Sequence, residues 1–288
     1  MDTITHTLFG IGLYQSVKKE GLSKKEKAAL LFTSVVGSQI PDIDVVSQLW
    51  DTQGLYQMWH RGITHSVFLV PVWALIIYAA VIVLFRVKHR DYFFLGMLAV
   101  AIHSSSDVFN AWGTGYLEPF SEARLTLGTI PIIDLAIWSI FGAAFLIKRF
   151  AKLPSATVFR YAWAAVLLHV GIQTAIGMSI IQDAKASYDK VALSAAFIPW
   201  HYTIIGKNGD EVELASASLW RAPEVHTTLH SDEKADLAPL FAEMPEAETL
   251  TKWSPFVVVV NDVNRLGVFD PRFYRNGESF LFISIDKP

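Results

Sequence analysis

The chain has no cysteine among its 288 residues, and only 18% of the residues are charged. Without cysteine there can be no disulfide framework and no thiolate metal site, so nitrogen and oxygen atoms must supply the ligands for any metal ion. A typical soluble domain carries about 25% charged residues. The low charge and a hydrophobic content of 52% therefore point to a membrane protein.

Long apolar runs are concentrated in the first two thirds of the chain. Residues 67–85 contain no charge over nineteen positions, enough to cross about 30 Å of hydrocarbon at about 1.5 Å per residue. The apolar run nearest the N-terminus, residues 3–17, is not a secretory signal, because its charges follow the apolar stretch. We predict six transmembrane helices, four well defined and two weaker. The other five runs are 92–106, 131–147, 161–181, 3–17 and 28–40.

The basic residues predict how these helices are oriented. Eleven of the fourteen lysines and arginines up to residue 182 lie in the segments 18–27, 86–91 and 148–152. With six helices, these segments are the first, third and fifth connections, all on one side of the membrane. The positive-inside rule assigns that side to the cytoplasm. The opposite helix ends are then extracytoplasmic.

The composition changes after about residue 182. Residues 183–288 carry ten Lys and Arg against sixteen Asp and Glu. Two strand-like runs meet at Asn208-Gly209, which predicts a hairpin. Segments 256–262 and 279–286 also resemble strands, and 232–244 resembles an amphipathic helix. The predicted fold is mainly α: a membrane-embedded helical domain (1–182) followed by a small, acidic, strand-rich α+β extracytoplasmic domain (183–288).

Histidines and aspartates recur where the predicted helices end on the outer side. His103 and Asp107 are four residues apart and therefore share one face of a helix. Segments more than 120 residues apart bring candidate metal ligands to one level of the membrane. The candidates are His6, Asp42, Asp44, His60, His65, His103, Asp107 and Asp134.

Imidazoles and carboxylates are ligands for zinc, manganese or iron, and we expect zinc first. Charged groups at membrane depth are costly unless they are paired or metal-bound, so they indicate function. Eight candidate ligands exceed the needs of one tetrahedral ion and suit two. Pairs of divalent ions commonly hydrolyse phosphoesters and amides. The sequence therefore predicts a dinuclear hydrolytic centre.

Each motif also has a simpler interpretation. Asp-x-Asp after a proline commonly caps a helix, and Asp134 could favour a helix start. His103 and Asp107 could form a local hydrogen-bonded pair, and the His60–His65 segment could be a pH-sensitive loop. Their joint placement favours the metal site. Five histidines have no ligand-like spacing and are excluded: His89, His169, His201, His226 and His230.

Arg61 and Arg124 are the only cations of the membrane domain on the predicted outer side. Arginine binds phosphate oxygens through two parallel hydrogen bonds. We therefore predict that both arginines contact a phosphate-bearing substrate as catalytic residues. Trp50, Trp59 and Trp112 are expected to be interfacial anchors.

Five ordered segments resemble the YdjM-like family of membrane-bound metal-dependent hydrolases over about residues 1–180: MDTITHTLFG, PDID, HRGITHS, HSSSDVFNAWGT and PIIDL. The family is similar to zinc-dependent phospholipases C and single-strand-specific nucleases, which are helical trinuclear phosphodiesterases. His103 and Asp107 match the His-x-x-x-Asp pair of those enzymes. They also use an N-terminal amine and a later His-x-x-x-Glu pair, for which no equivalent is expected here. The resemblance thus implies a hydrolase, and two ions fit better than three.

The leading hypothesis is a multi-pass membrane hydrolase that acts on a phosphoester or other ester of a lipid or cell-envelope molecule. Its expected partners are the lipid bilayer and this substrate, with no nucleic acid; the sequence identifies no partner for the C-terminal domain. The alternative is a non-catalytic membrane protein with a structural or regulatory metal and a partner-binding outer domain. A transporter is less favoured, because transporter sites lie near the bilayer midplane.

Overall fold

The computed structural model describes residues 1–287, in which a helical N-terminal part precedes a strand-rich C-terminal part. A 3₁₀ helix at Ile40–Leu49 follows the second α-helix and carries both aspartates of the PDID segment. The α-helices of the N-terminal part are α1 (Thr3–Ser16), α2 (Lys24–Gly37), α3 (Tyr56–Trp59), α4 (Val70–Phe85), α5 (Asp91–Val108), α6 (Leu135–Phe150) and α7 (Ser155–Ala184).

Side chains next to the helices fix where several of them begin. The Asp2 carboxylate accepts hydrogen bonds from the backbone of Ile4 and Thr5 at the start of α1. Ser23 and Glu26 form a reciprocal capping box at the start of α2. These contacts satisfy amide groups that a helix leaves without partners in its first turn. The ends of α1 and α2 are therefore encoded locally.

The prediction of six transmembrane helices is not supported. Among the described residues, two helical segments are long and apolar enough to cross a membrane: Val67–Phe85 and Ser155–Ala184. A third span results if α2 and the 3₁₀ helix, bent by 55°, count as one. α1 has 14 residues, or about 21 Å, which is short of the hydrocarbon thickness of about 30 Å. α5 ends in the polar sequence HSSSD, which shortens its apolar part.

The basic segments between helices lie at one end of the bundle. Lys148 donates to the Gln15 side chain at 3.0 Å, and Arg160 donates to the carbonyl of Ser16 at 3.1 Å. The Tyr92 hydroxyl donates to the Glu26 carbonyl at 3.1 Å. Phe85 and its neighbours pack with residues at the ends of α1 and α2. The histidine- and aspartate-bearing ends of the helices consequently share the other end.

Close helix packing positions that second end. A Cβ atom on Gly10 of α1 would lie 2.3 Å from Ser38 Oγ and 2.9 Å from Val35 Cα. α1 and α2 can therefore approach this closely only because residue 10 is glycine, as is common between membrane helices. Buried side chains of α1, α6 and α7 form one core around Phe9, Phe141 and Phe159.

The C-terminal part contains three antiparallel sheets. The first is a meander of β1 (Lys190–Ala195), β2 (His201–Asn208), β3 (Glu211–Ser218) and β4 (Arg221–His230). The second joins β5 (Val258–Asn261), β6 (Arg265–Phe269) and β9 (Phe282–Asp286), and the third joins β7 (Tyr274–Arg275) and β8 (Glu278–Ser279). Helices α8 (Ala238–Glu243) and α9 (Pro245–Trp253) connect β4 to β5.

The strand predictions are confirmed, but the helix prediction in this part is too long. Asn208 and Glu211 form the last pair before the β2–β3 turn, as the Asn-Gly pattern indicates. Only Ala238–Glu243 of the predicted 232–244 helix is helical. The backbone of Asp232 instead donates to the Val259 carbonyl at 3.0 Å, and the Asp236 carboxylate accepts from the Ala238 backbone. These bonds hold the first residues in turns.

The C-terminal part sits against the ligand-bearing end of the helices. The Tyr202 hydroxyl donates to the Gln173 carbonyl of α7 at 2.6 Å. Trp112, just after α5, packs edge-on against Trp253 and Phe273 with ring centroids 4.8 and 5.5 Å away. Trp112 is therefore a half-buried residue of the junction, packed against α9, and its role as a membrane anchor stays a prediction.

Candidate metal centre

His103 of α5 is held in a ligand-ready orientation. Its Nδ1 lies 2.7 Å from the carbonyl oxygen of Ser38, at the end of α2. Since a carbonyl oxygen only accepts, Nδ1 carries the proton and Nε2 presents a lone pair. Metal-binding histidines usually use their second nitrogen in this way. Both groups are fully buried.

The loop that carries His60 and His65 is shaped by its own backbone. Arg61 has a φ of +58°, in the left-handed region. A Cβ on the following Gly62 would lie 2.9 Å from the Trp59 carbonyl oxygen. The tight turn directs the Arg61 amide to Asp44 Oδ2 at 2.9 Å. Glycine after Arg61 is thus a structural requirement of this turn.

Asp44 joins the 3₁₀ helix to that loop. Its Oδ2 also accepts from the Thr64 hydroxyl at 2.8 Å, and its Oδ1 lies 3.0 Å from His60 Nδ1. Burial lowers the pKa of the His60 imidazole, which favours the neutral form that metals bind. Asp42, Asp44 and His60 form one group whose ligand atoms all lie within 4.8 Å of one another.

A second group consists of Asp42, His65, His103 and Asp107. His65 Nε2 lies 3.1 Å from His103 Nε2, 3.3 Å from Asp42 Oδ1 and 3.4 Å from Asp107 Oδ2. His103 Nε2 lies 3.5 Å from the same Asp42 atom and 3.8 Å from the same Asp107 atom. Atoms bound about 2.0–2.2 Å from one tetrahedral ion lie about 3.3–3.6 Å apart. The spacing fits a single divalent ion.

His6 supplies an independent test of that fit. Its ring stacks on His103 with centroids 3.7 Å apart, and its Nε2 lies 3.4 Å from Asp107 Oδ1. Among residues 1–287, neither ring nitrogen of His6 has a hydrogen-bond partner, although the residue is completely buried. Asp107 Oδ2 is also buried without one. Such groups are costly unless something binds them, so the cluster could hold a metal ion.

The amino group of Met1 lies beside the same cluster. It forms a buried ion pair with Asp107 Oδ1. The sequence predicts no equivalent of the N-terminal amine ligand of the similar phosphodiesterases, yet the Met1 amine lies at the cluster. The Asp2 cap of α1 and the bond from the Asp2 amide to the Ile132 carbonyl hold the terminus here. No local pattern in the sequence indicates this placement.

Asp134 lies outside both groups. It caps α6 by accepting from the backbone of Ala136 and Ile137 at 2.8 and 2.9 Å. Its other oxygen lies 2.9 Å from His169 Nε2. The structure therefore joins Asp134 to a histidine that had no partner in sequence, and does not bring it to the other seven candidate ligands.

Other groups of the protein already form hydrogen bonds with both predicted catalytic arginines. Arg61 is 4% exposed, and its guanidinium donates to Asn110 Oδ1 at 2.9 Å and to the Met1 carbonyl at 3.0 Å. Its Nε lies 3.3 Å from Asp107 Oδ2. Burial lowers the pKa of Arg61 to about 10, and the group is still cationic at neutral pH.

Arg124 stabilises the loop that carries His60 and His65. Its guanidinium donates to the carbonyls of Met58, His60 and Gly113 at 3.0, 2.7 and 3.1 Å. Burial lowers its pKa to about 10 as well. Arg61 is buried, whereas Arg124 is half-buried and lines a surface cavity of about 210 Å³. Asn110, Thr64 and the Ser38 carbonyl support the cluster but were not among the predicted site residues, because only tertiary contacts reveal them.

Access to the cluster is restricted. The Asp42 side chain is 23% exposed and that of His60 is 18% exposed, whereas those of His65, His103 and Asp107 are fully buried. Any molecule that reaches the ligand atoms must therefore approach past the 3₁₀ helix or His60.

The apolar helices and the buried Asp/His cluster define a helical membrane protein with a possible metal site. The chain belongs to the YdjM inner membrane protein family, whose model matches residues 1–181. It is similar to a Bacillus subtilis (strain 168) protein described as the uncharacterized protein YfhP, with 37% identity over 140 residues. That match covers 46% of this chain and 42% of YfhP, less than half of either. No solved structure matches the chain.

Proposed function

We propose that this protein is a membrane-bound, metal-dependent hydrolase with two divalent ions, zinc in the first place, with manganese or iron as alternatives. The proposal is carried by the convergence of four ligand atoms, from three separate segments, at the spacing of a tetrahedral ion. The ligands are nitrogen and oxygen atoms only, the donor set used by hydrolytic zinc centres.

Asp42 belongs to both ligand groups and is the natural shared ligand. One ion would be held by Asp42, His65, His103 and Asp107, and the other by Asp42, Asp44 and His60. Bound ions supply positive charge to a developing oxyanion and lower the pKa of a water molecule. With three protein ligands, the second group would leave room for a water molecule or a substrate oxygen on its ion. Catalytic sites differ from structural ones in keeping such a coordination position open.

The protein's own groups orient this centre. The Ser38 carbonyl fixes the tautomer of His103, and the Arg61 amide and Thr64 hydroxyl fix Asp44. Arg61 balances the charge of Asp107, and Arg124 holds the His60 carbonyl. We therefore assign both arginines as positioning residues. We propose this role in place of the predicted direct contact of both arginines with a substrate phosphate.

We propose a phosphoester or other ester of a lipid or cell-envelope molecule as the substrate. The shared end of the basic segments supports an orientation with that end in the cytoplasm. The cluster and the C-terminal domain would then face the extracytoplasmic side. A reporter fused after residue 152 should be cytoplasmic, and one fused after residue 288 should be extracytoplasmic. A cytoplasmic reporter at residue 288 would overturn this orientation.

The function is tested with purified protein loaded with zinc or manganese and a panel of phosphodiesters and carboxylic esters. We expect turnover that is lost in Asp42→Asn and His60→Ala, with Arg160→Ala as the matched control far from the cluster. Arg160 contacts only the opposite end of the bundle, at Ser16. Equal turnover in all three variants would contradict the proposal.

The second candidate is a structural or regulatory metal site, with the outer domain binding a partner. The complete burial of His65, His103 and Asp107 favours it, because structural sites are closed. On this hypothesis, metal removal lowers the melting temperature, and no ester in the panel is hydrolysed.

A further inference from the structure

A shallow, mostly apolar groove on the surface of the helices includes Asp42 in its lining. It has a volume of about 450 Å³ and lies between the start of α1, the end of α2 and the 3₁₀ helix. Val35, Val36, Ile40, Ile43 and Val45 supply its apolar lining. The volume lies in the range of about 300–1,000 Å³ typical of small-molecule sites.

Three polar residues, Thr3, Gln39 and Asp42, line the groove among the aliphatic ones. Gln39 is committed to α1, where its side-chain amide donates to the Thr3 carbonyl at 3.2 Å and the Thr7 hydroxyl at 3.0 Å. The charged group of the lining is Asp42, the most exposed acidic ligand of the cluster. The aliphatic side chains thus suit a hydrocarbon chain, and the same groove exposes the candidate ligand of both ions.

Apolar side chains in and next to the groove are exposed. Ile43 and Val45 belong to its lining, and Ile4 and Leu49 lie on the adjoining α1 and 3₁₀ helix. α2 and the 3₁₀ helix together form the third candidate membrane span. Exposed apolar side chains on a candidate span face lipid, since contact with water would be unfavourable. The mouth of the groove therefore faces acyl chains more readily than water.

We propose that the groove binds one acyl chain of a bilayer lipid, which enters laterally and places its ester linkage at Asp42. The proposal rests on the proposed hydrolase function for the fate of that linkage, but lipid binding itself does not. It specifies the substrate as a lipid held by its hydrocarbon part. A water-soluble envelope molecule would not use this groove.

Lipid retention by the full-length protein tests this directly. Wild type, Ile43→Trp, Val45→Trp and the control Leu168→Trp are reconstituted in vesicles of phosphatidylethanolamine and phosphatidylglycerol and extracted into detergent. Bound phospholipid and metal per chain are then measured by mass spectrometry. Ile43 and Val45 are exposed, so tryptophan there fills the groove without disturbing the core. Leu168 is exposed on α7, away from the groove.

We expect about one retained phospholipid per chain in wild type and in Leu168→Trp. Retention should fall about tenfold in both groove variants, the equivalent of losing two buried methylene groups, with metal content unchanged. Equal retention in all four proteins, or no retained lipid in wild type, would overturn the groove proposal. Groove-dependent retention in a protein that binds no metal would instead support the groove and reject the hydrolase.

Discussion

Nδ1 of His103 on α5 donates a hydrogen bond to the carbonyl oxygen of Ser38, which ends α2, over 2.7 Å. The free carbonyls at a helix C-terminus need donors, and the histidine supplies one. The same bond turns Nε2 towards His65 and Asp42. Helix packing and ligand geometry are therefore coupled, so that changes in packing should be felt in the cluster.

Gly10→Ala should destabilise the protein. The added Cβ would lie 2.3 Å from Ser38 Oγ and 2.8 Å from the Ser34 carbonyl oxygen, and the backbone atom cannot move away alone. Overpacking of this kind costs about 1–3 kcal/mol. We expect a lower melting temperature in detergent and weaker metal binding, because Ser38 positions His103.

Gly142→Ala in α6 is the matched control, since a Cβ there meets no atom within 4 Å. Alanine in a helix interior is favoured over glycine by about 1 kcal/mol. The control should be at least as stable as wild type. If Gly10→Ala matches it, the close approach of α1 and α2 is not required.

Asp134→Ala separates the helix-capping role of this residue from metal binding. The variant loses the α6 cap and the contact with His169. Loss of a cap costs about 1 kcal/mol, so the melting temperature should fall while the metal content stays at the wild-type level. Asp107→Ala, by contrast, should lose metal. A folded Asp134→Ala protein without metal would restore Asp134 as a ligand.

Arg61→Ala should lower metal content and thermal stability together. Breaking a buried ion pair by removing one partner costs about 3–5 kcal/mol, and Asp107 would lose the cation beside its Oδ2, leaving only the Met1 amino group as its ion-pair partner. Arg61→Lys should restore little, because lysine lacks the planar fork that reaches Asn110 and the Met1 carbonyl. A variant with full metal and stability but slow hydrolysis would assign Arg61 to substrate binding.

The ion pair between Lys207 and Glu233, at 2.5 Å, should make stability depend on pH. Burial opposes ionisation of Glu233, but hydrogen bonds from Lys207 and Ser231 outweigh it and lower its pKa below the ordinary value of 4.5. A lowered carboxyl pKa contributes stability above the unfolded-state value, and this is lost as pH falls through the folded-state value.

Glu233→Gln should therefore unfold at a lower temperature than wild type at pH 7, and the difference should shrink as pH falls below the unfolded-state value of about 4.3 and vanish once Glu233 is protonated in the folded state. Thermal unfolding at several pH values measures both. Glu248→Gln is the control, because its pair with Lys252 is exposed and exposed pairs contribute little. A pH-independent difference for Glu233→Gln would contradict the assignment.

The local parts of this structure could be predicted from sequence. The spacing of His103 and Asp107 places them on one helix face, and Asn208-Gly209 marks the β2–β3 hairpin. The number of membrane spans could not, because hydropathy does not show that α1 ends after 14 residues or that α2 bends into a 3₁₀ helix.

The candidate site was predictable only as a set of residue types at one level. Asp134 was predicted at the same level of the membrane, but its side chain contacts His169, which lies 35 positions further along the chain. The Met1 amine and the Ser38 carbonyl are backbone groups, which residue identity does not mark. The charge pattern of the sequence predicts the side of the membrane on which Arg61 and Arg124 lie. It does not show the groups that they bind, because those groups come from other segments of the chain. The sequence shows which ligand-forming residue types are present, but the tertiary packing determines which of their atoms come into contact.

The central claim is that the Asp/His cluster holds metal, and metal analysis of the purified protein tests it most directly. Wild type and His103→Ala are prepared side by side without chelator, and metal per folded chain is measured by plasma mass spectrometry. We predict about two ions in wild type and a clear fall in the variant. A folded wild-type protein without metal, even after incubation with zinc or manganese, would contradict the account.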